Sequence, residues 1–446
     1  MKNRLEELDK KYFIHPSSSI QQQQKSGPKT IWEKGENIYL INKEGNKFIE
    51  AMSSLWNVNI GYGRKELAVA SFNQMKKMAF SSSFSSFSNE PAILLAEKIA
   101  SISPQNLNAV FFTSGGSESN DSAIKLARHY WRIQGKPEKR KIIARKRGYH
   151  GVSSASTSAT GIPEFWDMAG RGNDEFIHAK APFDITTEEA IQSFIDTIES
   201  VGSENIAAFI GEPIMGAGGV IIPEKEYIQQ LREICTRYNI LYIDDEIICG
   251  FGRTGKMFGI EQYDVIPDMI TFAKGITSGY IPLGGVIVSD EIHEMLKEKS
   301  EGVMMHGFTY SGHPTSTAVG LKNIEIIEKE NLVENSRKMG AILFNKLQDL
   351  QSNLQYVSNI RSTGLIGALE MVKNPEENER FPADKKVASQ VIESLFQKGV
   401  ICRAVTYENT GIICFCPPLI INEEQLNDLM NRVHEAIKEV EQKINQ

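Results

Sequence analysis

The chain has 446 residues, more than one compact core usually holds, so we expect two domains. Its 49 basic residues are outnumbered by 56 acidic ones, and the net charge of −7 argues against general binding to nucleic acid or anionic membranes. We expect neither a membrane span nor a secretion signal, because no apolar run approaches roughly 18 residues and the N-terminus is charged. Five cysteines without paired spacing predict free thiols and a cytoplasmic location.

The N-terminal part begins with a polar segment and continues with short strands. Residues 16–29 are rich in Ser, Gln, Pro and Gly, and we expect an irregular arm there, with disorder as the alternative. Residues 38–48 predict a hairpin that turns at Glu44, Gly45 and Asn46. We predict that residues 1–58 form this arm and part of a small domain.

Helical and strand patterns alternate from about residue 60 to residue 290. Ala68, Phe72, Met75 and Ala79 follow helical spacing. A second helix presents one face made of Asn120, Ala123, Ile124, Ala127 and Trp131. Short runs that are apolar on both faces predict buried parallel strands with crossover helices at 109–112, 142–144, 207–210, 240–243, 269–273 and 285–288.

The pattern changes after about residue 315 to charged amphipathic helices with a few strands. A last helix presents an apolar face made of Leu426, Met430, Val433, Ile437 and Val440. We therefore predict a large α/β domain over 59–315 and a small α+β domain over 316–446, completed by the N-terminal segment.

A candidate phosphate site lies where the strand 109–112 leads into a helix. Gly115 and Gly116 let the backbone approach an anion, Ser117 adds a hydroxyl, and a helix N-terminus offers free N–H groups. An ordinary helix cap is the alternative. Tyr149 follows the strand 142–144 and could stack on an aromatic cofactor ring, although a packed core aromatic is the favoured interpretation of this motif by itself.

Asp245 and Lys274 each follow a buried strand, and we predict that they are the two central catalytic residues. A buried carboxylate needs a positive partner, and a protonated pyridine nitrogen would supply one. A metal site or solvated acids are the alternatives, and no histidine near Asp245 in the sequence favours metal. A lysine at such a position can have the lowered pKa that Schiff-base chemistry requires. The pair indicates an aldehyde cofactor.

These motifs resemble the class III aminotransferases of the pyridoxal phosphate fold type I superfamily, and especially the ω-transaminases, or amine–pyruvate aminotransferases. The resemblance covers nearly the whole chain, and its most specific stretches are 211–214, 245–255 and 306–314. It implies an α/β fold in which a large domain has a mainly parallel central sheet between helices and a smaller domain is α+β.

The resemblance also implies roles for individual residues around pyridoxal 5'-phosphate. Lys274 would form the Schiff base, Asp245 would bind the pyridine nitrogen, and Ile247 would face Tyr149 across the ring. Thr309 would reach the phosphate of a neighbouring subunit's cofactor, which implies a homodimer or a dimer of dimers. Glu212 would lie near the cofactor, with an ion pair to Arg253 as the alternative. The remaining implied cofactor contacts are Gly115, Gly116, Ser117 and His150.

Substrate recognition rests on fewer residues. Arg403 aligns with the mobile arginine that binds a carboxylate in ω-transaminases, and a surface arginine on a strand is the alternative. Leu55, Trp56 and Phe84 match positions that line the substrate pocket, with ordinary core as the alternative. Val152 follows Tyr-His-Gly where the γ-aminobutyrate and acetylornithine branches commonly carry an arginine. This departure argues against a γ-amino acid held in that way.

The resulting hypothesis is a transaminase that moves an amino group from a primary amine or a β- or ω-amino acid to a keto acid, most simply pyruvate. The cofactor would alternate between its aldehyde and amine forms in a ping-pong cycle. A diaminopelargonate-type aminotransferase and a glutamate-semialdehyde-type aminomutase are the alternatives within the fold. A non-catalytic cofactor-binding protein is disfavoured, because such a protein is expected to lose Lys274 or Asp245.

Overall fold

The computed structural model describes residues 2–168, 170 and 172–445, and its strands form three sheets. In chain order the strands are β1 (Trp32–Glu36), β2 (Tyr39–Asn42), β3 (Lys47–Glu50), β4 (Leu107–Thr113), β5 (Lys141–Arg145), β6 (Phe176–Ala179), β7 (Ile206–Gly211), β8 (Leu241–Asp245), β9 (Met269–Phe272), β10 (Gly284–Ser289), β11 (Val357–Thr363), β12 (Ile366–Asn374), β13 (Glu379–Arg380), β14 (Val400–Ile401), β15 (Arg403–Val405) and β16 (Ile412–Phe415).

The α-helices of the described residues are distributed along the whole chain. They are α1 (Lys2–Tyr12), α2 (Ile20–Ser26), α3 (Ser53–Trp56), α4 (Lys65–Lys77), α5 (Glu90–Ile102), α6 (Gly116–Ile133), α7 (Ser154–Ala159), α8 (Thr187–Val201), α9 (Lys225–Arg237), α10 (Asp290–Lys299), α11 (Pro314–Lys329), α12 (Leu332–Asn353), α13 (Val387–Gln397) and α14 (Glu423–Ile444). Within the described ranges, none of these helices combines the length and the apolar character that a membrane crossing requires.

The central sheet has seven strands in the order β4-β10-β9-β8-β7-β5-β6. Strand β10 is antiparallel to both of its neighbours, and the pairs from β9 to β6 are parallel. This confirms the predicted α/β class with a mainly parallel sheet. Six of the seven strands match predicted apolar runs, whereas β6 was missed because His178 interrupts its short sequence.

Both faces of the central sheet are covered, which explains why its strands are apolar throughout. Ile142 and Ala144 of β5 belong to one buried cluster with the inner face of α6, and Ile143 of the same strand belongs to another. Successive residues of a strand point to opposite faces, so both clusters depend on the same strand. The predicted face of α6 is buried at all five positions, Asn120, Ala123, Ile124, Ala127 and Trp131.

The two ends of the chain meet in a smaller sheet. Strands β2 and β3 form the predicted hairpin, and β14 pairs in parallel with β3. A separate sheet has the order β11-β12-β16-β15, with β13 on β12. The last helix, α14, buries the predicted face of Leu426, Met430, Val433, Ile437 and Val440. The division of the chain at residues 58 and 315 stays a prediction.

The expectation of an irregular arm at residues 16–29 was wrong, because Ile20–Ser26 is helical. The Ser19 side chain accepts a hydrogen bond from the Gln22 backbone N–H at 3.2 Å and so caps this helix. The Gln23 amide donates to Asp9 at 2.9 Å and to the Phe13 carbonyl at 3.0 Å. These bonds to the preceding segment hold a polar helix that has no apolar periodicity of its own.

The helical spacing around residue 70 predicted α4 correctly, but the apolar residues that share this spacing are not its buried face. Leu67 and Gln74 face inward, whereas Phe72 is 65% exposed and Met75 is also exposed. An apolar helix face that its own chain leaves uncovered indicates contact with another surface.

Candidate active site

The carboxyl ends of β8 and β9 bring Asp245 and Lys274 to one place in the fold. These strands are parallel neighbours, and Asp245 is paired with Thr271. The N-terminus of α6 follows the far strand β4 and points into the same space. A cavity of about 170 Å³ results, lined by Gly116, Ser117, Tyr149, His150, Gly151, Glu212, Asp245, Ile247, Ile248 and Lys274. Eight of these ten residues belong to the predicted cofactor site.

Asp245 is a buried carboxylate with three hydrogen-bond donors. The Asn120 amide and the His150 Nδ1 each lie 2.8 Å from its Oδ2, and the Ile247 backbone N–H donates to its Oδ1 at 3.1 Å. The Asn120 amide also donates to the His150 carbonyl at 2.7 Å and so ties the two partners together. Such donors offset the burial of a carboxylate and hold its orientation.

Lys274 is strained and electrostatically perturbed. It follows β9 with a φ of 44°, a left-handed conformation that is uncommon for a lysine and typical of functional sites. Burial lowers its pKa, while the charges of Asp245 and Glu212 oppose that shift. A lysine whose pKa is lowered by burial is suited to act as a nucleophile and as a proton carrier.

Glu212 is a cavity residue, and its predicted alternative role is wrong. Its two carboxylate oxygens accept hydrogen bonds from the Tyr149 and Gly216 backbone N–H groups, each at 3.0 Å. Burial raises its pKa to about 7. Arg253 does not pair with it, because that guanidinium donates instead to Ser53, Asn59 and the carbonyls of Leu365 and Pro417. The nearby cation is Arg145, which donates to the Glu212 backbone carbonyl.

The far end of the cavity has the features of an anion site. Gly115 precedes α6 and no side chain caps the helix at that position, so first-turn N–H groups stay available. A Cβ at Gly151 would lie 2.4 Å from the Ser117 hydroxyl oxygen, and one at Gly116 would lie 2.9 Å from Ile247. Any side chain there would fill the cradle. Together with Asp245 and Lys274, this donor set fits pyridoxal phosphate.

Tyr149 lines the cavity, and the charge of Arg403 acts on it. The Tyr149 ring lies 5.0 Å from the Phe165 ring, and burial raises the pKa of its hydroxyl, with the Arg403 charge acting in the opposite direction. Arg403 begins β15 opposite Cys414, and its charge also acts on Lys274. Arg403 is half-buried and its charge reaches the site, and its role in binding a carboxylate stays a prediction.

The predicted substrate-pocket residues are divided among three places. Trp56 is buried in a cluster that includes the cavity residue Ile248, while its neighbour Leu55 is exposed. Phe84 is not among the residues that line the cavity. Its ring lies against Gly307 instead, where a Cβ would be 3.0 Å away. Thr309 is exposed on the same segment. One chain therefore does not bring Phe84 and Thr309 to Lys274.

Two features of the site were not predicted as functional. Asn120 appeared only as a member of a helix face, although a polar residue on an otherwise apolar face is a signal that it has a buried partner. The Arg403 guanidinium acts on the hydroxyl of Tyr407, and nothing in the local sequence around Tyr407 indicates this.

Comparison with known proteins agrees with this geometry. The family model for aminotransferase class-III matches residues 20–437, and the chain belongs to that family. It is 40% identical to the putrescine–pyruvate aminotransferase of Pseudomonas aeruginosa, over 96% of this chain and 95% of that protein.

Solved structures show the same relationship. A transaminase from the marine bacterium Virgibacillus is 61% identical, with a TM-score of 0.98 over 99% of this chain and 100% of that one. The ω-transaminase of Pseudomonas jessenii, in complex with PMP, is 36% identical with a TM-score of 0.93 over 99% of both chains. The chain is thus a class III aminotransferase, an enzyme of a family that uses pyridoxal phosphate.

Proposed function

We propose that this enzyme is an ω-transaminase that transfers an amino group from a primary amine, or from a β- or ω-amino acid, to pyruvate in a ping-pong cycle. One observation carries the proposal: Lys274, Asp245 and the N-terminus of α6 line a single cavity, and the charge of Arg403 acts on two of its residues, Lys274 and Tyr149. The similarity to a putrescine–pyruvate aminotransferase supports a terminal amine as donor and pyruvate as acceptor.

The residues of the cavity would hold pyridoxal phosphate from three sides. Gly116, Ser117 and the first turn of α6 would receive the phosphate, and Asp245 would receive the pyridine nitrogen. Ile247 and Tyr149 would enclose the ring. When bound, the cofactor supplies an aldehyde for amines and a ring that takes up the electron pair left when a substrate C–H bond breaks.

Lys274 and Asp245 would divide the remaining work. Asp245 stays oriented by its three donors and stabilises positive charge on the ring nitrogen. Lys274 has a pKa lowered by burial, so its amine would accept the proton from the substrate carbon and pass it to the cofactor carbon that carried the aldehyde. Arg403 would bind the keto-acid carboxylate through two parallel hydrogen bonds and turn aside for an apolar donor.

The active form would be a homodimer. Exposed apolar side chains are concentrated on α4, on α5 and the loop between them, and on the segment 303–310. These elements adjoin, since the Phe80 and Tyr310 rings lie 6.1 Å apart and Phe84 lies against Gly307. A patch of this kind suits an interface between subunits. It carries Phe84 and Thr309, so a second copy docked there would receive both near its own cofactor.

The five cysteines are all free thiols, which supports the proposed cytoplasmic location.

The test of the function is a donor screen combined with one variant. Purified enzyme loaded with pyridoxal phosphate is assayed with putrescine, β-alanine, taurine and 1-phenylethylamine, each with pyruvate and with 2-oxoglutarate. We expect turnover of terminal amines with pyruvate. Changing Lys274→Ala should abolish both turnover and the visible absorption of lysine-bound cofactor. Persistence of either in the variant, or a preference for 2-oxoglutarate, contradicts the proposal.

A further inference from the structure

The loop that joins β15 to β16 follows Arg403 in the chain and has an unusual backbone. Its turn, Tyr407–Asn409, contains two consecutive non-glycine residues in the left-handed region, Glu408 with a φ of 54° and Asn409 with a φ of 61°. Such a conformation is disfavoured for a glutamate, so neighbouring contacts must hold it.

An ion pair supplies such a contact. The Arg147 Nη1 lies 2.6 Å from the Glu408 Oε2, and the arginine side chain is 4% exposed whereas the glutamate side chain is 57% exposed. Arg147 is fixed independently of Glu408, because its Nη2 and Nε donate to the Gly218 carbonyl at 2.9 and 3.2 Å. Its guanidinium also stacks 4.2 Å from the Phe183 ring. Arg147 is thus the anchor, and Glu408 is the movable partner.

The ion pair connects two parts of the site. Arg147 precedes Tyr149 by two residues on the loop after β5, while Glu408 directly follows Tyr407. The Thr410 N–H and hydroxyl both donate to the Tyr407 carbonyl, at 3.0 and 2.7 Å, so the turn moves as one piece. The Arg403 guanidinium acts on the Tyr407 hydroxyl. The position of Glu408 therefore sets where Tyr407 meets Arg403.

The loop also has room to move. A cavity of about 320 Å³ lies beside it. The loop contributes Thr406, Asn409, Thr410 and Gly411 to its wall, and the opposite wall includes Phe381 and Val387. Without the ion pair, Arg147 would hold the loop only through the 3.5 Å hydrogen bond from its Nη2 to the Thr410 hydroxyl, and the turn would have this space beside it.

We propose that Arg147 and Glu408 form a latch that positions Tyr407 and, through it, Arg403, and that the latch sets how well the enzyme discriminates carboxylate-bearing substrates from apolar ones. With the latch closed, Tyr407 holds the guanidinium where a keto-acid carboxylate can bind it. With the latch open, the guanidinium has no fixed position and the carboxylate must order it on binding. This inference rests on the proposed transaminase function and adds two positioning residues to it.

The experiment compares Glu408→Gln and Glu408→Gly with wild type. The first removes the charge, and the second removes the side chain while fitting the left-handed backbone. Glu377→Gln is the matched control, because it removes an exposed carboxylate from a different turn. We expect both Glu408 variants to raise the KM for pyruvate about threefold to fivefold, as suits a partly exposed ion pair. The rate of the half-reaction with 1-phenylethylamine should stay within twofold of wild type.

A second readout does not depend on turnover. Hydrogen exchange of the holoenzyme should be faster over residues 403–411 in both Glu408 variants and unchanged in Glu377→Gln. Unchanged exchange, or equal losses with pyruvate and with the amine, overturns the latch.

Arg403→Ala separates the latch from the function on which it rests. If this change raises the KM for pyruvate and the Glu408 variants do not, the latch is overturned and the transaminase function stands. If wild type converts no amine with pyruvate, the proposed function is overturned, and the exchange measurement still decides whether Glu408 holds the loop.

Discussion

Asn120 tests the idea that the donors around Asp245 matter for catalysis as well as for folding. Its amide donates to the Asp245 carboxylate at 2.8 Å and to the His150 carbonyl at 2.7 Å, and the side chain is fully buried. Changing Asn120→Ala removes both hydrogen bonds, and because the site is buried, no water molecule can replace the lost amide donor. A hydrogen bond to a charged group contributes about 1.5–3 kcal/mol and a neutral one about 1 kcal/mol. We therefore expect a loss of roughly 3 kcal/mol in the free energy of unfolding.

The catalytic consequence follows from the charged bond alone. If the weaker hold on Asp245 is felt in the transition state, about 1.5–3 kcal/mol corresponds to a decrease in kcat of roughly 10-fold to 100-fold, at about 1.4 kcal/mol for each factor of ten. The assay is the single-turnover half-reaction of the holoenzyme with a terminal amine, with denaturant unfolding measured in parallel.

Asn335→Ala is the matched control for Asn120→Ala. The Asn335 amide also makes two hydrogen bonds, to the carbonyls of Leu419 at 2.6 Å and of Ile421 at 3.1 Å, and it contacts no residue of the cavity. This variant should lose stability and keep its kcat. A kcat for Asn120→Ala within twofold of wild type would refute the reasoning, because Asp245 would then need only His150 and its own backbone donor.

Three further predictions concern the charge, the cofactor contact and the interface. Burial raises the pKa of Glu212 to about 7 from 4.5, so the folded state keeps a proton that the unfolded state releases, and stability falls as the pH rises from about 4.5 through 7. Glu212→Gln should reduce this loss of the free energy of unfolding by up to about 3 kcal/mol, as measured by urea unfolding at pH 5 and pH 8. The same loss between these pH values in the variant and the wild type would contradict this prediction. Asp245→Asn should retain cofactor absorption yet lower kcat at least about 100-fold, since the ring nitrogen loses its anionic partner; near-normal turnover would show that this partner is dispensable. Phe72→Glu should convert the proposed dimer to monomers, as measured by light scattering, and remove activity with it, because the Thr309 proposed to reach a second subunit could no longer do so. The adjacent Asn73→Glu should leave the dimer intact, and a dimeric Phe72 variant would place the interface elsewhere.

Short-range patterns in the sequence predicted the fold class, the reactive pair and the anion site of this enzyme. Alternating helices and apolar strands indicated the α/β fold, since strands buried on both faces must be apolar throughout. Asp245 and Lys274 stood out because a charged residue directly after a buried strand needs a chemical reason. The glycines before α6 indicated an anion site because free N–H groups at a helix start are a local property. Each of these signals lies within a few residues of chain.

The tertiary structure decided which distant residues meet. Asn120 and His150 reach Asp245 across 125 and 95 residues, and no period in the sequence encodes that contact. Arg253 lies only seven residues beyond Glu246, yet its hydrogen-bond partners come from both ends of the chain. The exposed face of α4 has the same spacing as a buried one, because periodicity reports which residues are apolar and not what covers them. The sequence by itself therefore determined the fold class and the reactive pair, while packing determined the donors that orient the pair, the uncovered face, and the loop that meets Arg403.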